Sequence, residues 1–247
     1  MDRFVYIAAA GARQTQLAQA VNAHNLANAS TTGFKQDLIS AETLYVNGSG
    51  QSTRAYNMVT GSAADLGQGT LQQTGRDLDI AINGPGWFVF QGEGGVEGLT
   101  RRGDLRIDEF GQLVNGAGQI MMGEAGPVAL PPFSNITIGS DGTVSIVPLG
   151  EAPNAVAVLD RLKLVNPPES IIRKDSAGEL QTIDGEPLFS DATLRLVTGT
   201  LEASNVNSIS AMVRMIELSR EFEQHMKMVQ VGEELDTSSA SLMRMQT

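Results

Sequence analysis

The 247-residue chain contains no cysteine, two histidines and only 5% aromatic residues. Without cysteine it has no disulfide scaffold, no thiolate metal site and no cysteine nucleophile. Two histidines are too few for a three-histidine zinc site. The low aromatic content is small for a large compact core, although 41% hydrophobic residues is typical of a globular chain. We therefore expect no metal and no cofactor.

Long hydrophobic runs and an excess of basic charge are also missing. The longest weakly polar stretch near the N-terminus, residues 4–12, is far shorter than the roughly 20 residues that a membrane-spanning helix needs. Polar residues follow it from Arg13 onward, so we expect neither membrane insertion nor a cleaved signal peptide. The net charge of −11 argues against nucleic-acid binding, which normally needs a basic face.

Proline is absent from both ends of the chain, since all nine prolines lie between Pro85 and Pro187. Because proline breaks helix interiors, its absence permits long terminal helices. Glycine and proline punctuate the middle, which is typical of a sandwich- or barrel-like β domain. We predict four segments: an N-terminal helix at 1–33, an extended connector with room for a hairpin at 34–75, an all-β domain at 76–198 and a C-terminal helix at 199–247.

The N-terminal segment is rich in alanine, glutamine and leucine, which favour helix. Apolar, small and amide residues step by three or four along it, at Phe4, Ile7, Gly11, Gln14, Ala18, Val21, Asn25 and Asn28. Small residues permit close approach of a second helix, and buried amides require partners. This spacing favours helix–helix packing over an ordinary amphipathic helix on a core. Gly33 is suited to the positive φ that ends such a helix.

The C-terminal segment has neither glycine nor proline from residue 206 to residue 231. Its seam is formed by Ile209, Met212, Ile216, Ser219, Phe222, Met226 and Val229. Methionine suits a repeating interface and also fills gaps in a core, and composition leaves both readings open. We expect Ser204 or Asn205 to cap the start of this helix. The polar residues from Asp236 onward either fray or extend it.

The middle of the chain alternates polar and apolar residues over short runs, as half-buried strands do. Asn83–Gly86 is a strong turn signal. Residues 136–138 and 143–147 flank a Gly-Ser-Asp-Gly turn and predict a hairpin. The other predicted strands are 77–82, 87–90, 105–107, 112–114, 156–165 and 194–198.

No set of residues has the spacing of a catalytic site. His24 and His225 have no nearby carboxylate or serine at a spacing typical of catalysis, so each is expected to be a surface or packing histidine. Asp77 and Asp79 share one face of a predicted strand, but a solvated face explains them better than a cation site. No dinucleotide or Walker fingerprint is present. The sequence favours a structural or binding protein over an enzyme.

Four motifs go further than composition. Residues 23–35 read AHNLANASTTGFK, residues 78–90 read LDIAINGPGWFVF, and residues 99–114 read LTRRGDLRIDEFGQLV. Residues 199–223 read GTLEASNVNSISAMVRMIELSREFE. In content and order they resemble the signatures of the flagellar rod and hook axial proteins, most closely the proximal rod proteins. His24 stands where that family commonly has asparagine, and Trp87 where it commonly has phenylalanine.

The resemblance implies a non-enzymatic structural subunit of the bacterial flagellar basal-body rod. It implies that the terminal helices pair as a coiled-coil-like inner layer, with the β domain outside. It also implies partners, namely other copies and other rod proteins, and delivery to the periplasmic rod by the flagellar type III export apparatus. Packing between subunits is then expected from Leu17, Val21, Leu26, Phe34, Val206, Ile209, Met212, Ile216, Phe222 and Met226, with Asn25 and Asn28 supplying hydrogen-bond register.

Two alternatives stay open at this point. One is the distal rod protein or another axial or tail-tube protein, which shares the same helical ends. The other is a secreted carbohydrate-binding β module with helical arms, although the chain lacks paired carboxylates at a convincing spacing for hydrolysis.

Overall fold

A computed structural model describes residues 2–45, 55–152, 154–175, 178–183 and 188–244. The chain divides into two compact units. The helical unit comprises Met1–Asn28, Asp37–Ala63 and Val206–Thr247, and the β unit comprises Ala29–Gln36 and Ala64–Asn205. The segment 34–75, which we predicted as an extended connector, therefore contributes to both units.

The helical unit contains two helices, α1 (Asp2–Ala27) and α2 (Ser208–Arg244), which pack against each other. It also contains strands β1 (Asp37–Tyr45) and β2 (Ala55–Ala64), which form a two-stranded sheet. The prediction of two paired terminal helices is confirmed. Among the described residues, no helix is both long enough and apolar enough to cross a membrane.

The start of α2 differs from the prediction. The side-chain oxygen of Asn207 accepts the backbone N–H of Ser210 at 3.0 Å, so Asn207 is the N-cap. The expectation of a cap at Ser204 or Asn205 is wrong, because the side-chain amide of Asn205 donates instead to the carbonyl of Asp65 at 2.9 Å. At the other end, α2 continues past Asp236 to Arg244, and the side chains of Thr237, Ser239 and Ser241 donate to carbonyls of the preceding turn.

The β unit contains fifteen strands and two short 3-10 turns among its described residues. The 3-10 turns are Glu93–Gly95 and Glu169–Ile171. The strands are β3 (Leu71–Gln73), β4 (Ile80–Ile82), β5 (Trp87–Gln91), β6 (Glu97–Thr100), β7 (Arg106–Ile107), β8 (Leu113–Val114), β9 (Ile120–Met121), β10 (Phe133–Ile138), β11 (Thr143–Pro148), β12 (Ala157–Arg161), β13 (Leu164–Val165), β14 (Ile172–Lys174), β15 (Leu180–Thr182), β16 (Leu196–Thr198) and β17 (Thr200–Glu202).

These strands form several antiparallel sheets. The largest has the order β14-β15-β6-β5-β9-β8-β7, with β13 also paired to β5. A second sheet has the order β10-β11-β12, and two strand pairs, β16-β4 and β17-β3, bring the end of the unit back to its beginning. The prediction of a mainly β middle region is confirmed. The predicted hairpin is β10-β11, in which Ile138 faces Val144.

Strand β5 is buried on both of its faces. Phe88 and Phe90 belong to one core cluster with Ile80 and Ile82, whereas Trp87 belongs to a second cluster on the other face. A strand covered on both faces reads as a continuous apolar run rather than an alternating one. This explains why residues 87–90 are the densest apolar run of the sequence.

Strand β4 is shorter than predicted. It begins at Ile80, not at Asp77, because the backbone N–H of Asp79 donates to the carbonyl of Arg76 at 3.0 Å and closes a turn. The Asp79 side chain accepts from Thr74 at 2.7 Å and pairs with Arg76 at 3.3 Å. Local side-chain bonds of this kind compete with strand pairing.

Candidate functional site

Three charged side chains are buried together in the β unit. Lys35 follows the turn after α1, Arg101 follows β6, and Glu202 ends β17. Their exposed fractions are 3%, 3% and 0%. Burying a charge is costly unless it is paired and hydrogen-bonded, so these three side chains must satisfy one another.

The carboxylate of Glu202 is the centre of this charge cluster. One oxygen accepts from the Lys35 ammonium at 2.7 Å and from the backbone N–H of Gly69 at 2.9 Å. The other accepts from the Arg101 guanidinium at 2.9 Å. A side chain at residue 69 would meet the carbonyl of Ala203, with its Cβ only 1.9 Å from that oxygen. The absence of a side chain at Gly69 therefore lets the loop approach Glu202.

Both cations of the cluster have a second acceptor. Lys35 also donates to the carbonyl of Gly67 at 2.7 Å, and Arg101 to the carbonyl of Gly84 at 2.8 Å. Two positive charges thus share one carboxylate and two backbone carbonyls. Among the described atoms of the cluster, the Arg101 Nε is the one buried polar group without a hydrogen bond.

The Trp87 ring supplies a further contact to both cations. The Lys35 ammonium lies 5.7 Å from the ring centroid, and the Arg101 guanidinium carbon lies 5.3 Å from it. Tryptophan is the best aromatic partner for a cation, since its ring has the largest negative face. A tryptophan at position 87 therefore suits a place beside two buried charges.

Burial and pairing act in opposite directions on the two cations. Burial lowers the pKa of Lys35 below its ordinary value, while the hydrogen bond and charge of Glu202 oppose that shift. Burial likewise lowers the pKa of Arg101, again opposed by Glu202. An arginine side chain stays protonated under any physiological condition. The Glu202 carboxylate therefore supplies the negative charge that balances these two buried cations.

Around the cluster, two distant parts of the chain are hydrogen-bonded side by side. The backbone N–H of Gly33 donates to the carbonyl of Glu202 at 2.7 Å, and that of Asn205 donates to the carbonyl of Phe34 at 3.3 Å. The Asn205 side chain accepts the backbone N–H of Gln36 at 2.8 Å. The segments 33–36 and 202–205 follow α1 and precede α2 in the sequence. The β unit thus holds together the segments through which the chain leaves α1 and enters α2.

The four sequence motifs meet at this cluster. Lys35 ends the first motif, Trp87 lies in the second, Arg101 in the third and Glu202 in the fourth. None of these residues was among the predicted site residues. The available signal was a charged residue inside each of three motifs, together with an aromatic residue in the remaining one.

In the helical unit, the helices pack through small side chains. The buried residues of this face are Ala8, Ala12 and Thr15 on α1 and Ala211 and Leu218 on α2. The Asn22 side chain donates to the carbonyl of Ala211 at 2.7 Å. The predicted α1 seam is confirmed in part. Gly11 lies against His225 of α2 and Asn25 is buried, whereas Ile7 is exposed and its neighbour Ala8 is buried instead.

The residues predicted to pack between subunits are mostly left uncovered in the single chain. Ile209, Met212 and Ile216 are 73%, 54% and 57% exposed. At about 100° per residue they lie on the face of α2 opposite to Ala211 and Leu218. Leu17 and Met226 are also exposed, Val21, Leu26 and Phe222 are half-buried, and Val206 is buried.

The remaining predicted residues have contacts within their own unit. Both groups of the Asn25 side-chain amide bond the backbone of Asp37 at 2.8 Å, and Asn28 donates to the carbonyl of His24 at 3.0 Å. Phe34 belongs to the β unit, where the Lys174 ammonium lies 5.0 Å from its ring centroid. Their roles between subunits stay predictions.

Three protein-family models match this chain. "Flagella basal body rod protein" covers residues 5–35, "Flagellar hook protein FlgE/F/G D1 domain" covers residues 81–146, and "Flagellar basal body rod FlgEFG protein C-terminal" covers residues 197–242. The matched ranges include most of both helices and much of the β unit.

Curated relatives align over nearly the whole chain. The flagellar basal-body rod protein FlgF of Escherichia coli (strain K12) is 41% identical, over 93% of each chain. FlgF of Salmonella typhimurium is 38% identical, over 99% of this chain and all of the relative. The flagellar basal-body rod protein FlgG of Buchnera aphidicola (subsp. Schizaphis graminum) is 30% identical, over 94% and 96%.

Proposed function

The chain belongs to the flagellar basal-body rod protein family and is a structural subunit of the rod, and we propose that it assembles through the apolar helix faces that the single chain leaves exposed. The resemblance drawn from the four motifs is thereby confirmed. The surfaces by which the subunit meets its neighbours, the identity of those neighbours and its place along the rod belong to the proposal.

The observation that carries the proposal is that α2 is apolar on two opposite faces. Ala211 and Leu218 are covered by α1, whereas Ile209, Met212 and Ile216 face away from it. Burying apolar surface stabilises association by about 25 cal/mol for each Å² removed from water. Adjacent exposed isoleucine and methionine side chains are therefore suited to contact another subunit.

The way in which neighbouring subunits contact each other follows from the helical symmetry of a filament. A surface on one subunit that meets a different surface on the next, without closing into a ring, generates a helical assembly. We propose that copies of this chain and other rod proteins stack in this way, with the helices inside and the β unit outside. We also propose a place in the periplasmic rod and delivery by the flagellar type III export apparatus without a cleaved signal, as the resemblance of the motifs implies.

A double substitution tests the exposed face of α2. Met212→Asp with Ile216→Asp places two charges on that face, and charges in an apolar interface are strongly unfavourable. We expect loss of rod incorporation and of motility, with the thermal unfolding of the β unit unchanged. Motility would be measured in a strain that depends on the introduced gene. Thermal unfolding would be measured on the purified chain.

The matched control keeps both positions apolar. A strain that carries Met212→Leu with Ile216→Leu is expected to swim, because the two leucines retain a similar volume and hydrophobicity. Normal motility of the aspartate variant would refute the proposed interface, and loss of β-unit folding would show that the substitutions act on the subunit itself.

A further inference from the structure

The helix pair contains one contact that fixes its alignment. His225 of α2 lies directly over Gly11 of α1, where a Cβ added at residue 11 would fall 2.5 Å from Cε1 and 2.8 Å from Nδ1 of the ring. Real Cβ atoms do not approach other atoms so closely. The imidazole thus occupies the space that a side chain at residue 11 would need.

Other positions on this side of α1 cannot take the ring in the same way. Gly11 is the single glycine of α1. Sliding α2 by one turn, about 5.4 Å, would bring the ring over Ile7 and Ala8 or over Gln14 and Thr15. Each of these residues carries a Cβ. In a slipped register, the imidazole ring of His225 would therefore meet a side chain instead of the open space above Gly11.

The contact also carries a cost that packing alone does not explain. The His225 Nδ1 is buried without a hydrogen bond among the described residues. A buried polar atom without a partner destabilises the state that buries it. In coiled coils, a single buried polar side chain is retained at such a cost because it selects one register.

A second polar contact agrees with the same alignment. Asn22 donates to the Ala211 carbonyl toward the other end of the pair. Along α1, Gly11 precedes Asn22, whereas along α2 Ala211 precedes His225, so the helices run antiparallel. We infer that Gly11 and His225 form a register lock that fixes how α2 aligns on α1 of the same chain.

Substitutions at the two positions separate the lock from helix propensity. Gly11→Ala raises the intrinsic preference for helix, yet its added methyl group would occupy the space that the His225 ring fills. His225→Ala opens space opposite that added methyl group. The lock predicts that Gly11→Ala disturbs the pairing and that the double variant Gly11→Ala, His225→Ala restores it.

The readout is crosslinking in the cysteine-free chain. Cysteines introduced at Asn22 and Ala211 are joined with a short bismaleimide on rods isolated from cells. We expect about tenfold less crosslink with Gly11→Ala, as an overpacked interface implies, and recovery in the double variant. Ala10→Leu, a larger change on the exposed side of α1, should keep the full yield.

Each other outcome would overturn the lock. Equal crosslinking in all variants would show that Gly11 does not set the register, and a crosslinked dimer would show that α2 pairs with a neighbour's α1. Absence of crosslink between these two cysteines in rods of the otherwise unchanged chain would show that the pair does not form. The proposed assembly surface is judged separately, by the motility of the Met212 and Ile216 variants.

Discussion

The two units of this chain bury opposite kinds of residue. The β unit buries large apolar side chains such as Phe88 and Phe90, and pairs its buried charges around Glu202. The described helices of the other unit bury mostly alanine and threonine together with Leu218, and they expose Ile209 and Met212. The β unit has a large apolar core of its own, whereas the described helices leave several of their larger apolar side chains exposed.

This contrast separates folding from assembly. Little apolar area is buried between two helices that meet through alanines, and the stability of a helix in a protein comes mostly from packing. The β unit can therefore fold in the subunit, while we expect the helices to gain most of their stability from neighbouring subunits.

The largest expected effect is in hydrogen exchange of the free chain. Residues 5–28 and 206–230 should exchange rapidly, and strands β4 and β5 should exchange orders of magnitude more slowly, because local opening ranges from nearly free at weakly packed segments to global unfolding in a core. The measurement is amide exchange by mass spectrometry on monomeric protein.

Assembly provides the internal control for that experiment. The same terminal peptides should become protected in isolated rods, since ordering is then coupled to binding. Strong protection of both helices in the monomer would contradict this difference between the two units. It would mean that the helical unit is stable by itself.

A substitution at the charge cluster should weaken only the β unit. Glu202→Gln keeps the shape of the side chain but leaves Lys35 and Arg101 buried without a counter-charge. Removing one partner of a buried ion pair costs about 3–5 kcal/mol. Chemical denaturation of the monomer, followed by Trp87 fluorescence, measures the loss.

The exposed Glu151 offers the matched control in the same unit. Glu151→Gln should change the free energy of unfolding by less than about 0.5 kcal/mol, as for other surface substitutions. A similarly small effect of Glu202→Gln would mean that water or rearrangement compensates the two cations.

The smallest expected effect is a dependence on alkaline pH. Burial lowers the pKa of Lys35 in the folded chain, whereas the unfolded chain keeps the ordinary value of 10.5. Between the two values the unfolded chain binds more protons than the folded chain, so the free energy of unfolding rises with pH in this window.

Comparison with Lys35→Arg isolates this contribution. Arginine keeps its proton throughout this pH window. The free energy of unfolding of the variant should therefore lack the part of the pH dependence that Lys35 contributes. Denaturation at several pH values below 10.5 measures it, and identical slopes in the parent chain and the variant would contradict the assigned shift.

Local patterns predicted the elements of this fold well. The proline-free ends are helices, and the Gly-Ser-Asp-Gly turn joins β10 to β11. These features depend on neighbouring residues, so they are visible in a short window of sequence. The alternation that placed a strand at Asp77 was overruled by side-chain bonds in the turn at Asp79.

The candidate site was much less predictable. Lys35 and Glu202 are 167 residues apart, and charged residues are ordinarily exposed, so no local pattern indicates that they meet. The inner face of α1 was also missed in part, because Ala8 and Ala12 contrast weakly with the alanines around them. Charged residues inside three of the four motifs were the available signal, but they do not indicate which residues meet.

The position of Glu202 late in the sequence has a consequence for the timing of folding. Strands β16 and β17 close the β unit against β4 and β3, and Glu202 supplies the carboxylate for Lys35 and Arg101. A growing polypeptide emerges from its N-terminus, so both cations appear long before their counter-charge. Until residue 202 arrives, the unit lacks its closing strands and the two side chains are better hydrated than buried. A nascent subunit therefore stays open until synthesis is nearly complete.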